Sequence, residues 1–165
     1  MERRTIEVER ISVTSSKPFD AVVDALNRSM GHPNVAELQQ ISQGAGSFAE
    51  LEAAIKRVLG KTELMLFMKF DLGAVLRKES GTDHPRIMRL LVGNPLIMKE
   101  LAKHTSNAGS YAPVTILVDE RPDGVHLTYD RMASLLAPSG SSEGLAISRA
   151  LDMKIERLLR EAAAA

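Results

Sequence analysis

The stretch RLLVGNPLIMKELAKH (residues 89–104) changes its periodicity within four residues. Up to Val92 it continues an apolar run of the kind a buried strand carries. From Pro95 onward the apolar residues recur at helical spacing. Each residue of the turn between has a physical job. Gly93 permits a close or positive-φ backbone path, Asn94 is a favoured N-cap, and Pro95 suits the first helical position, where no amide partner is needed. The motif reads in full as a strand-to-helix joint. It also leaves a helix N-terminus, with free amides and partial positive charge, at a strand end where a polar or anionic ligand can sit. Gly93, Asn94 and Pro95 are therefore the first candidate ligand-binding residues.

Outward from the joint, RIMRLLV is a buried strand, and VTILVDE and VHLTYD form a hairpin around the turn Arg121-Pro122-Asp123-Gly124. ELMLFMKFD is apolar at both phases of the strand period and is expected to be a central strand covered on both faces. AVLRKE after it is read as a resumed extended path. TIEVERISVT (residues 5–14) alternates with a phase slip, which a bulge near Glu9-Arg10 would correct.

Helices are expected around Pro18–Gly31, with Pro18 in the first turn and Phe19, Val22, Val23, Leu26 and Met30 inward, and again from Ser47 to about residue 60. Ser47-Phe48-Ala49-Glu50 fits a capping box, with Phe48, Leu51, Ile55, Val58 and Leu59 facing the core. A last helix spans about residues 143–162. The segment HPNVAELQQISQGAG (residues 32–46) fits either a short helix or a connection, and APSGSSEG reads as a flexible link. Strands follow one another without a helix between each pair, so a doubly wound parallel sheet fits poorly. The expected fold is α+β: one domain over residues 1–165, a two-layer sandwich with a largely antiparallel sheet of about five strands and helices packed on one face. The core is expected over about 5–160, with residues 161–165 a frayed tail.

Composition excludes several classes of function. Hydrophobic residues make up 44% and charged residues 25% of the 165, as in globular domains. Formal net charge is zero, from 21 basic and 21 acidic residues, so there is no basic excess to neutralise a nucleic-acid backbone. No cysteine is present, which removes disulfides, thiolate metal sites and cysteine nucleophiles. The four histidines stand alone, without metal-ligand spacing, and no metal or cofactor is expected. Neither a signal peptide nor a membrane span is legible, and the expected location is the cytoplasm.

Asp71 and Gly73, after the ELMLFMKFD strand, can present a carboxylate at a cleft. Tyr111 can offer a hydroxyl from its rim. The eight methionines and the scarcity of aromatic residues fit an adaptable apolar interior. First in order comes a small-ligand-binding or sensing module, taking a partly apolar or anionic molecule at Asp71, Gly73, Gly93, Asn94, Pro95 and Tyr111. A structural, oligomerising subunit is second. Third is an enzyme with Asp71 as base and the turn amides near Asn94 stabilising developing charge.

Taken together, FDLGAVLRKE, LLVGNPLIMKELAKH, YAPVTILVDERPDG and YDRMASLL resemble the prokaryotic family catalogued as domain of unknown function 302. The resemblance covers most of residues 5–160. It implies a compact α+β fold, often associated as a dimer, with no established activity. The family's Asp and Gly-Ala before the glycine-asparagine-proline turn match Asp71, Gly73 and Ala74 here. Relatives often carry extra residues between that Asp and the glycine, so Leu72 sits in a compressed version.

Overall fold

Strands β4 (Val114–Arg121) and β5 (Gly124–Asp130) form the hairpin at the centre of a computed structural model that describes residues 3–139 and 141–164. Gly124 turns the chain at φ 134°, and a Cβ there would lie 2.5 Å from the Ser15 carbonyl oxygen, so the position accepts only glycine. β1 (Arg10–Ser15) pairs with β5 on one side; β3 (Ile87–Gly93) and then β2 (Met65–Asp71) extend the sheet from β4 on the other. The order is β1-β5-β4-β3-β2, antiparallel throughout. Leu90, Val92, Ile116, Val118, Leu127 and Tyr129 point to one face and build the core with the helices. Thr115, Leu117 and Thr128 alternate with them on the other face and are only half-buried. This is the α+β two-layer arrangement that the sequence predicts.

The helices among the described residues are α1 (Phe19–Ser29), α2 (Val35–Gly44), α3 (Phe48–Val58), α4 (Gly73–Ser80), α5 (Pro95–His104), α6 (Met132–Leu136) and α7 (Ser142–Ala164). The predicted stripe of α1 is buried, with Pro18 just before the first turn as N-cap. The open segment 32–46 holds α2, capped by Asn34 (2.8 Å from the Glu37 amide) and without a buried residue. α3 keeps half of its capping box: Ser47 accepts from the Glu50 amide, while the Glu50 carboxylate takes the Gly46 amide at 2.8 Å. Phe48, expected inward, is 49% exposed and lies under the Lys99 ammonium; Ile55 alone of that stripe is fully buried.

Four further readings are corrected. β1 starts only at Arg10, so the phase slip marks the strand's beginning and not a bulge. β2 is an edge strand, not a central one: Met65 and Leu66 are buried, but Met68 and Phe70 are exposed. Apolarity at both phases marked two-sided burial only for its first two residues, ahead of a register shift at Phe67. AVLRKE folds as α4, as its strong helix formers favour, and Gly81 closes it at φ 70°. The alanine tail belongs to α7, with Ala162 2% exposed and the Ala163 carbonyl accepting from the Ser15 hydroxyl at 2.7 Å. In the predicted link, Gly140 lies outside the described residues, and a short 3₁₀ turn spans Ala137–Ser139.

α6 has five residues and no capping side chain of its own. Its first amides, of Met132 and Ala133, donate to the two oxygens of Asp152 in α7 at 2.8 and 3.1 Å. The Tyr129 hydroxyl donates to the same carboxylate at 2.7 Å, and Asp152 is fully buried. Burial, reinforced by the Asp152 charge, pushes the Tyr129 phenol far up, which keeps its proton in place as a donor. The Asn94 joint is similarly double: Oδ1 accepts from the Leu96 amide at 2.8 Å, and Nδ2 donates to the Glu63 carbonyl at 2.9 Å.

Asp152→Ala strands three buried donors and should destabilise the protein by about 3 kcal/mol in urea unfolding, against about 1 kcal/mol for Tyr129→Phe. A loss under about 0.5 kcal/mol for Asp152→Ala would contradict this account. Asn94→Ala removes both a cap and a tertiary bond, and should cost about 2 kcal/mol in the same measurement rather than the ~1 kcal/mol of a cap alone.

Candidate functional site

β3 carries Leu90 and Val92 into the core and ends at Gly93, which brings no side chain. The chain then turns into α5, whose Ile97, Met98 and Leu101 point back toward the strand end. β4 enters alongside through Pro113 and Val114, Phe67 closes over from the irregular point of β2, and α7 contributes Leu151. These elements leave a cavity of about 200 Å³ directly under the turn. Val92, Leu101, Val114 and Leu151 form its buried floor, with Phe67, Ile97, Met98 and Ala112 half-buried at its rim. A Cβ on Gly93 would stand 3.3 Å from the Phe67 ring and 3.6 Å from the Pro113 Cβ, so the missing side chain keeps the space open.

Asn94 is the one polar side chain lining the cavity among the described residues, and both ends of its amide are engaged. No titratable side chain reaches the wall among the described residues. The arrangement can hold a molecule by shape and dispersion, and it offers no acid or base.

The predicted site residues divide into three places. Gly93, Asn94 and Pro95 line the cavity. Tyr111 does not; it borders a separate, larger pocket of about 720 Å³ on the open sheet face, which shares Pro113 and Val114 with the cavity. Asp71 and Gly73 lie at the far end of the β2–β3 pair: Asp71 stands opposite Met88, whereas Gly93 stands opposite Met65. Five strand residues separate the two sites, about 17 Å at the usual rise.

Asp71 is gripped by Arg77 at 2.5 and 3.2 Å. Arg77 first, with the Ala74 and Gly73 amides adding to it, holds its carboxyl below the ordinary range. It is an ion-paired anion, remote from the turn amides. Gly73 is a packing contact, since a Cβ would meet the Pro85 carbonyl at 2.8 Å. Around this end Arg86 pairs with Asp20 and His84 with Glu120. Among the described residues no group of three or more His, Asp and Glu is placed to hold a metal.

Sequence reading missed Phe67, Met98, Ala112, Pro113 and Leu151. Each looked like ordinary core or turn material, and only the long-range packing of β2, β4 and α7 brings them around Gly93. The helical stripe of α5 was the one legible signal.

No curated protein matches the chain. Among solved structures it is similar to the crystal structure of an uncharacterized conserved protein DUF302 from Bacillus stearothermophilus. The likeness has a TM-score of 0.63 at 12% identity, covering 93% of this chain and 97% of that one, and concerns the fold alone. A family model described as "Domain of unknown function DUF302" matches residues 38–162, which include the strand-turn-helix joint, the hairpin and most of α7. With three quarters of its length inside that match, the chain belongs to the DUF302 family.

Proposed function

We propose that the chain is a binding module for a small, largely apolar molecule seated under the Gly93-Asn94-Pro95 turn, working as a homodimer in the cytoplasm. The apolar cavity of about 200 Å³ at the end of a buried strand carries this reading. An apolar cavity of roughly 150 Å³ is large enough for benzene, so this one suits a single substituted ring or a short branched chain. An uncharged ligand is favoured over an anion, because the Leu96 amide at the α5 N-terminus is already taken by Asn94. The enzyme reading finds no support, since Asp71 and the turn lie at opposite ends of β2 and β3.

Toluene is a suitable probe. Its titration should shift the ¹³C-methyl resonance of Met98 saturably and raise the melting temperature. Gly93→Ala places a methyl against Phe67 and should weaken toluene binding about fivefold or more, with the fold retained. No saturable shift with toluene or with indole would overturn the proposal.

A further inference from the structure

The exposed large apolar side chains are clustered. Of nine among the described residues, five (Met68, Phe70, Leu72, Val75 and Leu76) fall within residues 68–76, on the outer half of β2, the Leu72 turn and the start of α4. Contiguous apolar exposure of this kind marks an interaction surface. It coincides with an open sheet edge, since β2 has β3 on one side only. At its start the edge is closed by the 30–34 connection: the Leu66 amide donates to the Gly31 carbonyl at 2.8 Å, and the Gly31 amide to the Leu64 carbonyl at 2.9 Å. Beyond the irregularity at Phe67, residues 68–71 stay free to pair.

We infer that this edge binds a second copy of the chain, β2 against β2 antiparallel, with Phe70 on the two-fold axis. The inference rests on the dimeric part of the proposed function and specifies its surface. The charges select the register. Lys69 and Asp71 stand two residues apart on the helix-bearing face, opposite Leu90 and Met88 of β3, and Lys69 has no ion pair among the described residues. An axis at Phe70 sets Lys69 beside the partner's Asp71, whose carboxylate Arg77 already holds, and brings the two Phe70 rings together on the open face. An axis at Lys69 would set lysine against lysine, which is unfavourable for directly opposed strand residues. An axis at Met68 would require Leu66 to pair outward, where Gly31 already sits. With the Phe70 register the two sheets become one of ten strands.

The test uses the full chain, which contains no native cysteine. Directly opposed strand residues have Cα atoms about 4.5–5.5 Å apart, within disulfide range. Phe70→Cys should therefore give a covalent dimer on mild oxidation, whereas Val8→Cys, similarly exposed elsewhere, should not. Lys69→Glu, checked for native circular dichroism, should raise the dimer dissociation constant about tenfold in analytical ultracentrifugation. A dimer that persists unchanged in Lys69→Glu and does not cross-link through Phe70→Cys would overturn this surface and leave the dimeric reading intact. A wild-type chain that sediments as a monomer at every concentration would overturn both.

Discussion

A carboxylate with no access to water must be met by donors, and Asp152 is met from three directions. Two are the amides that open α6 and one is the phenol of Tyr129 at the end of β5. Leaving any of them unpaired inside the protein is costly, so the three elements can come together in essentially one arrangement. α6 is too short to persist without it. Arg131, placed at the edge of this cluster, faces Asp152, Glu156 and Glu9 together and ties the N-terminal approach to the same point. The neighbour of Asp152 on α7 is Leu151, which floors the cavity. The polar lock and the apolar space are thus consecutive residues: fixing one positions the other.

Across the cavity, the joint at Gly93-Asn94-Pro95 provides the second fixed wall. Asn94 spends its acceptor on α5 and its donor on Glu63, just ahead of β2. The turn is therefore held rigid by a side chain that also seals off the helix terminus. Glycine beside it contributes only the absence of a side chain. A rigid frame around a small apolar space is what a preformed apolar site requires, and it is the opposite of a site that works by reactive groups.

Periodicity made the architecture legible. The stripes of α1 and α5, the central hairpin and the strand-turn-helix joint all follow from local residue patterns, because each segment there faces one environment along its whole length. The pattern failed where the environment changes within a segment. β2 is buried at Leu66 and exposed at Met68, so its two-phase apolarity imitated a central strand. Phe48 sits on an apparent core stripe but is half-exposed beneath Lys99. The candidate site was legible as a location and not as a composition. Gly93, Asn94 and Pro95 announce themselves through helix-start chemistry, whereas Leu151 lies nearly sixty residues on and reads as ordinary core. Asp152 was invisible for the same reason: one acidic residue in a helix rich in charge reads as surface until the partners from β5 and α6 are in place.

The two margins of the sheet are unlike, and this bears on how copies can accumulate. One margin, β1, is polar: Arg10 is bound to Asp130, and Ser12 faces Thr128. The other, β2, is apolar and open for only a few residues. Joining unlike margins head to tail is the geometry that grows fibres, and here it would set a hydrophilic strand against a greasy one. Joining like to like closes after two copies. The free backbone at β2 is short and flanked by an irregularity, which leaves few groups for a further strand to pair with. The same sequence that leaves five apolar side chains exposed therefore keeps the open backbone beside them short.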